Sequence, residues 1–128
     1  MRSIDTNALV RFLVADDPDQ TAKATNYVAE GVFISHGVLM EAEWVLRRTY
    51  GWDRARINVA LTHFTRLQPV EPELRPFLLW ALDRHRNGAD GADMLHLIAA
   101  RHYPPFKTFD QQLSRQAGSE APVTVEAA

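Results

Sequence analysis

The apolar positions of the chain fall into two kinds of pattern, short continuous runs and longer stretches with helical spacing. The run at residues 32–34 predicts a short buried strand. Leu39, Ala42 and Leu46 recur every three or four residues and predict a helix at residues 38–50. The whole chain follows this alternation of short strands with longer helices, which is typical of an α/β fold with a mainly parallel sheet.

The predicted elements cover most of the sequence. Strands are predicted at residues 3–5, 32–34, 68–70, 106–109 and 123–125. Helices are predicted at residues 8–14, 20–30, 38–50, 54–67, 92–102 and 111–116, and a further helix is predicted to begin at Pro72 and run through Leu82. In sheets of this kind, functional sites form beyond the carboxyl ends of the strands, so polar residues at those ends are the first candidates.

Length and composition limit the class of protein. The chain has 128 residues, which fits one domain over residues 1–128 with a hydrophobic core of its own. It contains no cysteine, so disulfides, thiol nucleophiles and zinc–thiolate sites are excluded. No apolar run approaches the ~20 residues that span a bilayer, and the start of the chain does not resemble a signal peptide. We therefore expect a soluble, cytoplasmic protein without a membrane partner.

Two aspartates stand at the carboxyl ends of predicted strands. Asp5 ends the first strand and Asp110 follows a late one, so a parallel sheet would place both carboxylates at the same edge. Both residues also precede predicted helices, and taken singly each is better explained as a helix N-cap. Their candidacy as site residues depends on the other acids of the chain.

Two further pairs of acids lie at predicted helix starts. Glu41 and Glu43 are two residues apart, so they cannot share one helix face, and only one of them can point to a common site. Asp90 and Asp93 precede an apolar helix, and only one of them can be its cap. The second acid then needs a partner, which a divalent cation or an arginine could supply.

The chemistry of these acids favours a hard cation. Mg²⁺ and Mn²⁺ prefer oxygen ligands, and a site of this kind can activate water for attack on a phosphodiester. The net charge of −2 gives no support for nucleic-acid binding through a basic surface. Bound cations would reverse the local field of the carboxylates, so this charge is still compatible with a nuclease.

Four stretches resemble the motifs of a known family. Ile4-Asp5-Thr6-Asn7 is similar to its N-terminal motif, and Glu41-Ala42-Glu43-Trp44-Val45-Leu46-Arg47 resembles its Glu-x-x-Trp-Val-Leu helix. Ala89-Asp90-Gly91-Ala92-Asp93-Met94-Leu95-His96 resembles its Asp-x-x-Asp-Ala-Leu-His segment, and Thr108-Phe109-Asp110 resembles its Thr-x-Asp strand end. In order and spacing the chain resembles a PIN-domain protein, and within that group a VapC-type toxin of a bacterial toxin–antitoxin pair.

The resemblance implies a fold, an activity and a site. The fold is a PIN-like three-layer α/β/α sandwich with a mainly parallel central sheet, and the activity is an endoribonuclease that depends on Mg²⁺ or Mn²⁺. The implied partners are the RNA substrate, a cognate antitoxin protein and a second copy in a homodimer. The implied catalytic and metal-binding residues are Asp5, Glu41, Asp93 and Asp110, with Asp90 as an accessory ligand and Thr6, Asn7 and Thr108 as supporting residues.

The sequence departs from the family pattern beside Asp93. Gly91 and Met94 stand where the family more often has an aromatic residue and an alanine. Both changes concern packing and leave the proposed ligands in place, although they could alter the rigidity of the site.

Other interpretations are open at this point. The chain could be a catalytically idle PIN-like module that only binds a protein or RNA. A phosphorylated receiver or a phosphatase with Asp5 as nucleophile is disfavoured, because Asp5 comes too early and Asn7 stands where a second aspartate is needed. Other residues are assigned structural roles by default: histidines His36 and His96, core or interface tryptophans Trp44 and Trp80, and the basic clusters at residues 47–48 and 84–86. Trp52 is left as an open candidate for base stacking.

Overall fold

The structure, a computed structural model, describes residues 1–128 and contains seven helices and five strands. The strands are β1 (Arg2–Ser3), β2 (Val32–Ile34), β3 (Val70–Pro72), β4 (Phe106–Thr108) and β5 (Val125–Ala127). The helices are α1 (Thr6–Val14), α2 (Pro18–Ala29), α3 (His36–Arg48), α4 (Arg54–Arg66), α5 (Arg75–Arg86), α6 (Gly91–Ala99) and α7 (Leu113–Ala117). They form two compact units, Met1–Arg75 (unit 1) and Pro76–Ala128 (unit 2).

Unit 1 is built on a parallel sheet of three strands in the order β1-β2-β3. Val32 and Ile34 of β2 are fully buried, because a central strand is covered on its inner face by helices. Helix α1 packs against both α2 and α3. Each of these helices begins at a side-chain cap, supplied by Asp5, Asp17 and Ser35 respectively. The caps therefore fix where the helices that carry the candidate residues start.

Unit 2 contains a two-stranded parallel sheet, β4-β5, together with most of α5 and with α6 and α7. Its core is formed by apolar side chains from all three helices, among them Ala81, Met94, Leu97, Ile98 and Leu113. The hydrophobic face of α6 faces this core, whereas Asp90, just before the helix, is exposed and Asp93, in its first turn, is half-buried.

Several predicted helices and strands differ from those in the structure. The prediction that a helix begins at Pro72 is wrong, because Pro72 is the last residue of β3, where it is paired with Ile34, and α5 begins at Arg75. The last strand lies at Val125–Ala127, two residues later than predicted, where it pairs with β4. The N-cap of α7 is Gln112 rather than Asp110.

The α/β class and the parallel strand pairing are confirmed, and both are consistent with a PIN-like fold. None of the helices combines the length and the apolar character that crossing a membrane requires. The prediction that residues 1–128 form one domain stays a prediction.

Candidate metal centre and active site

The acids of unit 1 lie at the starts of α1 and α3. Asp5 is the N-cap of α1, and its Oδ1 accepts a hydrogen bond from the backbone N–H of Ala8 at 2.9 Å. Glu41 is an exposed residue of α3, and its Oε1 accepts a short hydrogen bond from the hydroxyl of Thr6. Because Thr6 directly follows Asp5 in the chain, this hydrogen bond links Glu41 to the residue next to Asp5.

The side chain of Glu43 points in a different direction from that of Glu41. Its Oε1 accepts a hydrogen bond from Nε of Arg47 at 3.1 Å, one helical turn further along α3. Two residues of separation on a helix place the two glutamates on different faces, as expected from the sequence. Of the two, Glu41 is the one that borders the same cavity as Asp5.

That cavity has a volume of about 600 Å³ and is lined entirely by residues of unit 1. Asp5, Thr6, Asn7 and Glu41 contribute its polar edge, which includes the predicted supporting residues Thr6 and Asn7. It is also lined by Arg11 and Tyr50, which the sequence did not single out. Tyr50 ends the helix predicted at residues 38–50, and no local pattern marks its hydroxyl as a cavity group.

The acids of unit 2 lie at the start of α6 and after β4. Asp90 is the N-cap of α6, and its Oδ1 accepts from the backbone N–H of Asp93 at 3.0 Å. Asp110 accepts from the N–H of Gln112 at 2.8 Å, and its own N–H donates to the hydroxyl of Thr108 at 3.0 Å. The side chain of Thr108 therefore contacts the backbone of Asp110, and its role as a supporting residue of the site stays a prediction.

Asp93 differs from its neighbours because no donor in unit 2 hydrogen-bonds its carboxylate. Burial raises the pKa of Asp93, and the negative charges of Asp90 and then Asp110 raise it further, against a smaller lowering by His96. The expectation that only one of the pair at residues 90 and 93 caps the helix is confirmed, and the other acid is the one under electrostatic stress.

The structure thus brings the predicted site residues together in two groups. Asp5 and Glu41 border one cavity in unit 1, and Asp90, Asp93 and Asp110 influence one another in unit 2. Neither unit by itself holds a group of three or more histidine or carboxylate side chains arranged to bind a metal ion.

The residues to which the sequence gave structural roles are mostly engaged within the chain. The ring of His36 hydrogen-bonds the backbone oxygen of Glu73 at 2.8 Å. Arg84 donates to the backbone oxygen of Gln116, and Arg86 pairs with Asp83. These contacts favour a structural role over phosphate binding for both arginines.

Two tryptophans, one in α3 and one in the segment before α4, have arginine side chains over their rings. Trp44 is 52% exposed, so it is not a core residue, and the guanidinium of Arg48 lies 5.7 Å from its ring centre. Trp52, the open candidate for base stacking, already has Arg56 over its ring at 4.0 Å. One face of Trp52 is therefore occupied by a side chain of its own helix region.

Comparison with known proteins identifies the family. Residues 3–119 match the PIN domain, and this chain belongs to the PIN domain family. PIN domains are generally nucleases and typically use divalent metal ions. No significant match to the chain was found among curated proteins or among solved structures.

Proposed function

We propose that this chain is a metal-dependent endoribonuclease and the toxin of a toxin–antitoxin pair. The observation that carries the metal-dependent part is the state of Asp93, a half-buried carboxylate without a hydrogen-bond donor in its unit and with two acids beside it. Membership of a family of nucleases supports the reaction, and the motif resemblance supports the toxin role. The same resemblance supports RNA as the substrate, and an antitoxin protein and a second copy of this chain as partners.

The donor set fits a hard divalent cation. Asp5, Glu41, Asp93 and Asp110 would hold Mg²⁺ or Mn²⁺ through carboxylate oxygens, with Asp90 as an accessory ligand. A cation favours the ionised form of nearby carboxylates, so it would oppose the effects that raise the pKa of Asp93. When bound, the ion supplies a more acidic water and neutralises charge on the phosphate that is attacked.

The chain's own residues hold the carboxylates in place. The N–H of Ala8 fixes Asp5, and the hydroxyl of Thr6 fixes one oxygen of Glu41, which leaves the second oxygen of each available. The Thr108 hydroxyl orients the backbone at Asp110. Asp93 makes no such bond in unit 2, and both of its oxygens are available to a ligand or to a proton.

The proposal is tested by RNA cleavage with the purified protein. We expect cleavage with Mg²⁺ or Mn²⁺, none in excess EDTA, and recovery when Mg²⁺ is added back. Asp83→Asn, an exposed acid of α5, serves as the control for site variants. Cleavage that continues undiminished in EDTA would contradict the mechanism, and RNA binding without any cleavage would favour the idle module.

The toxin role is tested in a bacterial cell. Brief expression of the wild-type chain is expected to arrest growth and to produce new RNA ends at a small number of positions, whereas expression of Asp93→Asn is expected to do neither. Normal growth with no new RNA ends, at equal protein levels, would contradict the toxin role while leaving nuclease activity to the test in vitro.

A further inference from the structure

The cavity beside Asp5 and Glu41 is larger than a metal ion requires. Its volume of about 600 Å³ lies within the range of ~300–1,000 Å³ that is usual for small-molecule pockets. It extends along α1 from Asp5 towards Arg11, which six residues of helix place about 9 Å away. A ligand group next to the carboxylates would therefore have room to enter.

The walls of the cavity are apolar between these two ends. Val10, Val38 and Val45, from α1 and α3, contribute side chains to its lining. Valine surfaces do not hydrogen-bond, so they favour a flat group with apolar faces over a strongly hydrated one.

At the end of the cavity away from Asp5, the positive charge of Arg11 is balanced by the carboxylate of Asp16. Nη1 of Arg11 lies 2.8 Å from a carboxylate oxygen of Asp16, and it also donates to the hydroxyl oxygen of Tyr50 at 3.2 Å. With Asp16 beside the guanidinium, and with Asp5 and Glu41 at the other end, the cavity has no net positive charge to attract a phosphate. Its charge pattern fits a neutral ligand group.

Tyr50 supplies a neutral donor at this end. Its oxygen accepts the hydrogen bond from Arg11, so its own proton is left to donate. A hydroxyl that accepts from a cation is polarised and becomes a stronger donor. The tyrosine therefore presents an O–H group suited to a carbonyl oxygen of a ligand.

A nucleobase has these properties, since its faces are apolar and its edge carries hydrogen-bonding groups. We propose that the cavity binds one nucleobase of the RNA next to the cleaved bond, with the Tyr50 hydroxyl donating to an exocyclic carbonyl. Guanine and uracil carry such a carbonyl where adenine carries an amino donor, so the cavity selects guanine or uracil over adenine. The placement of this nucleobase beside the cleaved bond rests on the proposed function, whereas the binding of a nucleobase in the cavity does not.

The test uses free nucleosides and metal-free protein, so that neither cleavage nor phosphate contributes. Guanosine, uridine and adenosine are titrated into the labelled full chain, and the amide signals of Asn7, Val38 and Thr49 are followed by NMR. We expect guanosine or uridine to shift these signals at concentrations about 3–10-fold lower than adenosine, which is the effect of one hydrogen bond. Inorganic phosphate alone is expected to leave them unchanged.

Tyr50→Phe removes the hydroxyl and keeps the ring. It should abolish the difference between guanosine or uridine and adenosine, while the melting temperature shows that the fold is retained. Tyr103→Phe, at a position 79% exposed in unit 2, is the control and should preserve the difference. The inference is overturned if nucleosides do not shift the cavity signals, if Tyr50→Phe keeps the preference, or if phosphate alone produces the same shifts.

Failure of the proposed function gives a different result. A chain that binds guanosine through Tyr50 but cleaves no RNA would contradict the nuclease proposal and retain the base pocket. If RNA is cleaved, sequencing of the new ends should show a preference for guanine or uracil at one position that Tyr50→Phe relaxes, and cleavage without any base preference at that position would contradict the pocket.

Discussion

The two groups of acids differ in how their carboxylates are satisfied. In unit 1, Asp5 and Glu41 each accept a hydrogen bond, one from a backbone N–H and one from a threonine hydroxyl. In unit 2, Asp90 and Asp110 accept backbone N–H groups, but Asp93 accepts nothing within the unit. Hydrogen-bond donors position the acids of the first group. The second group contains one acid, Asp93, whose pKa is raised by burial and by the negative charges of its neighbours.

The difference corresponds to two roles that carboxylates can have in a metal site. Hydrogen-bonded acids have a fixed orientation, which suits the binding of an ion at a defined position. An acid without donors is destabilised in its charged form, which makes it the group most sensitive to the presence of a cation. We therefore expect substitutions in the two groups to differ in their effects on stability as well as on activity.

The largest effect is expected for Asp93→Asn. The change removes an anionic ligand, and RNA cleavage with Mg²⁺ should fall by ~10³-fold or more, as is usual for the loss of a catalytic group. Cleavage is measured with a labelled RNA, and Asp83→Asn should stay near the wild-type rate. An active Asp93→Asn variant would show that Asp93 has only a structural role in the first turn of α6.

The second prediction compares two glutamates of α3. Glu41→Gln should reduce cleavage by ~10²-fold, because Glu41 borders the cavity with Asp5. Glu43→Gln should change it by less than ~3-fold, because Glu43 interacts with Arg47 on another helix face. Equal losses, or a larger loss for Glu43→Gln, would show that the register of the α3 motif is wrong.

The same positions show how far the sequence defines the molecule. Hydrophobic spacing located the helices, since their buried faces must repeat with the helical period. It failed at Pro72, because a proline suits both the first turn of a helix and the end of an edge strand, and pairing with Ile34 decides between them. It left Trp44 as either a core or an interface residue, and only tertiary packing shows that this side chain lies outside the core.

The candidate site could be proposed from the sequence as a set of residues but not as a set of contacts. Strand-end position and motif spacing singled out the acids, whereas the bond from Thr6 to Glu41 joins residues that lie 35 positions apart. Arg11 and Tyr50, separated by 39 positions, share a hydrogen bond that no local pattern indicates. Contacts of this kind depend on how α1 packs against α3.

A smaller effect is expected for the threonine that positions Glu41. Thr6→Val keeps the shape of the side chain and removes the donor, so cleavage should fall by ~3–10-fold. The melting temperature should change little, because the bond lies in an exposed part of the site. Thr25→Val removes a threonine hydrogen bond within α2 and is the matched control, which should keep wild-type activity. Equal activity losses in both variants would contradict a specific role for Thr6.

The smallest effect concerns pH. Folding raises the pKa of Asp93, so the folded chain binds the proton more tightly than the unfolded chain does. The stability cost is therefore present at pH values above the raised pKa and disappears as the pH falls towards the ordinary value of 3.8. Without metal, the melting temperature of Asp93→Asn relative to wild type should rise by a degree or two from pH 4 to pH 7. The change is small because solvent screens this half-buried group.

A relative melting temperature that is flat across this range would contradict the electrostatic account of Asp93. The same series with Asp90→Asn gives a second check. Asp90 is the nearby charge that raises the pKa of Asp93 most, so removing it should reduce the pH dependence that Asp93 contributes.

The central proposal is that Asp5 and Asp93 both contribute to the binding of one divalent metal ion. It is tested most directly by calorimetric titration of Mn²⁺ into the wild-type chain, Asp5→Asn, Asp93→Asn and the control Asp83→Asn. We predict one binding event in the wild type that both site variants weaken by ~10-fold or more and that the control leaves unchanged. Two independent events, each lost in only one variant, or an affinity that depends on only one of the two acids, would contradict the claim.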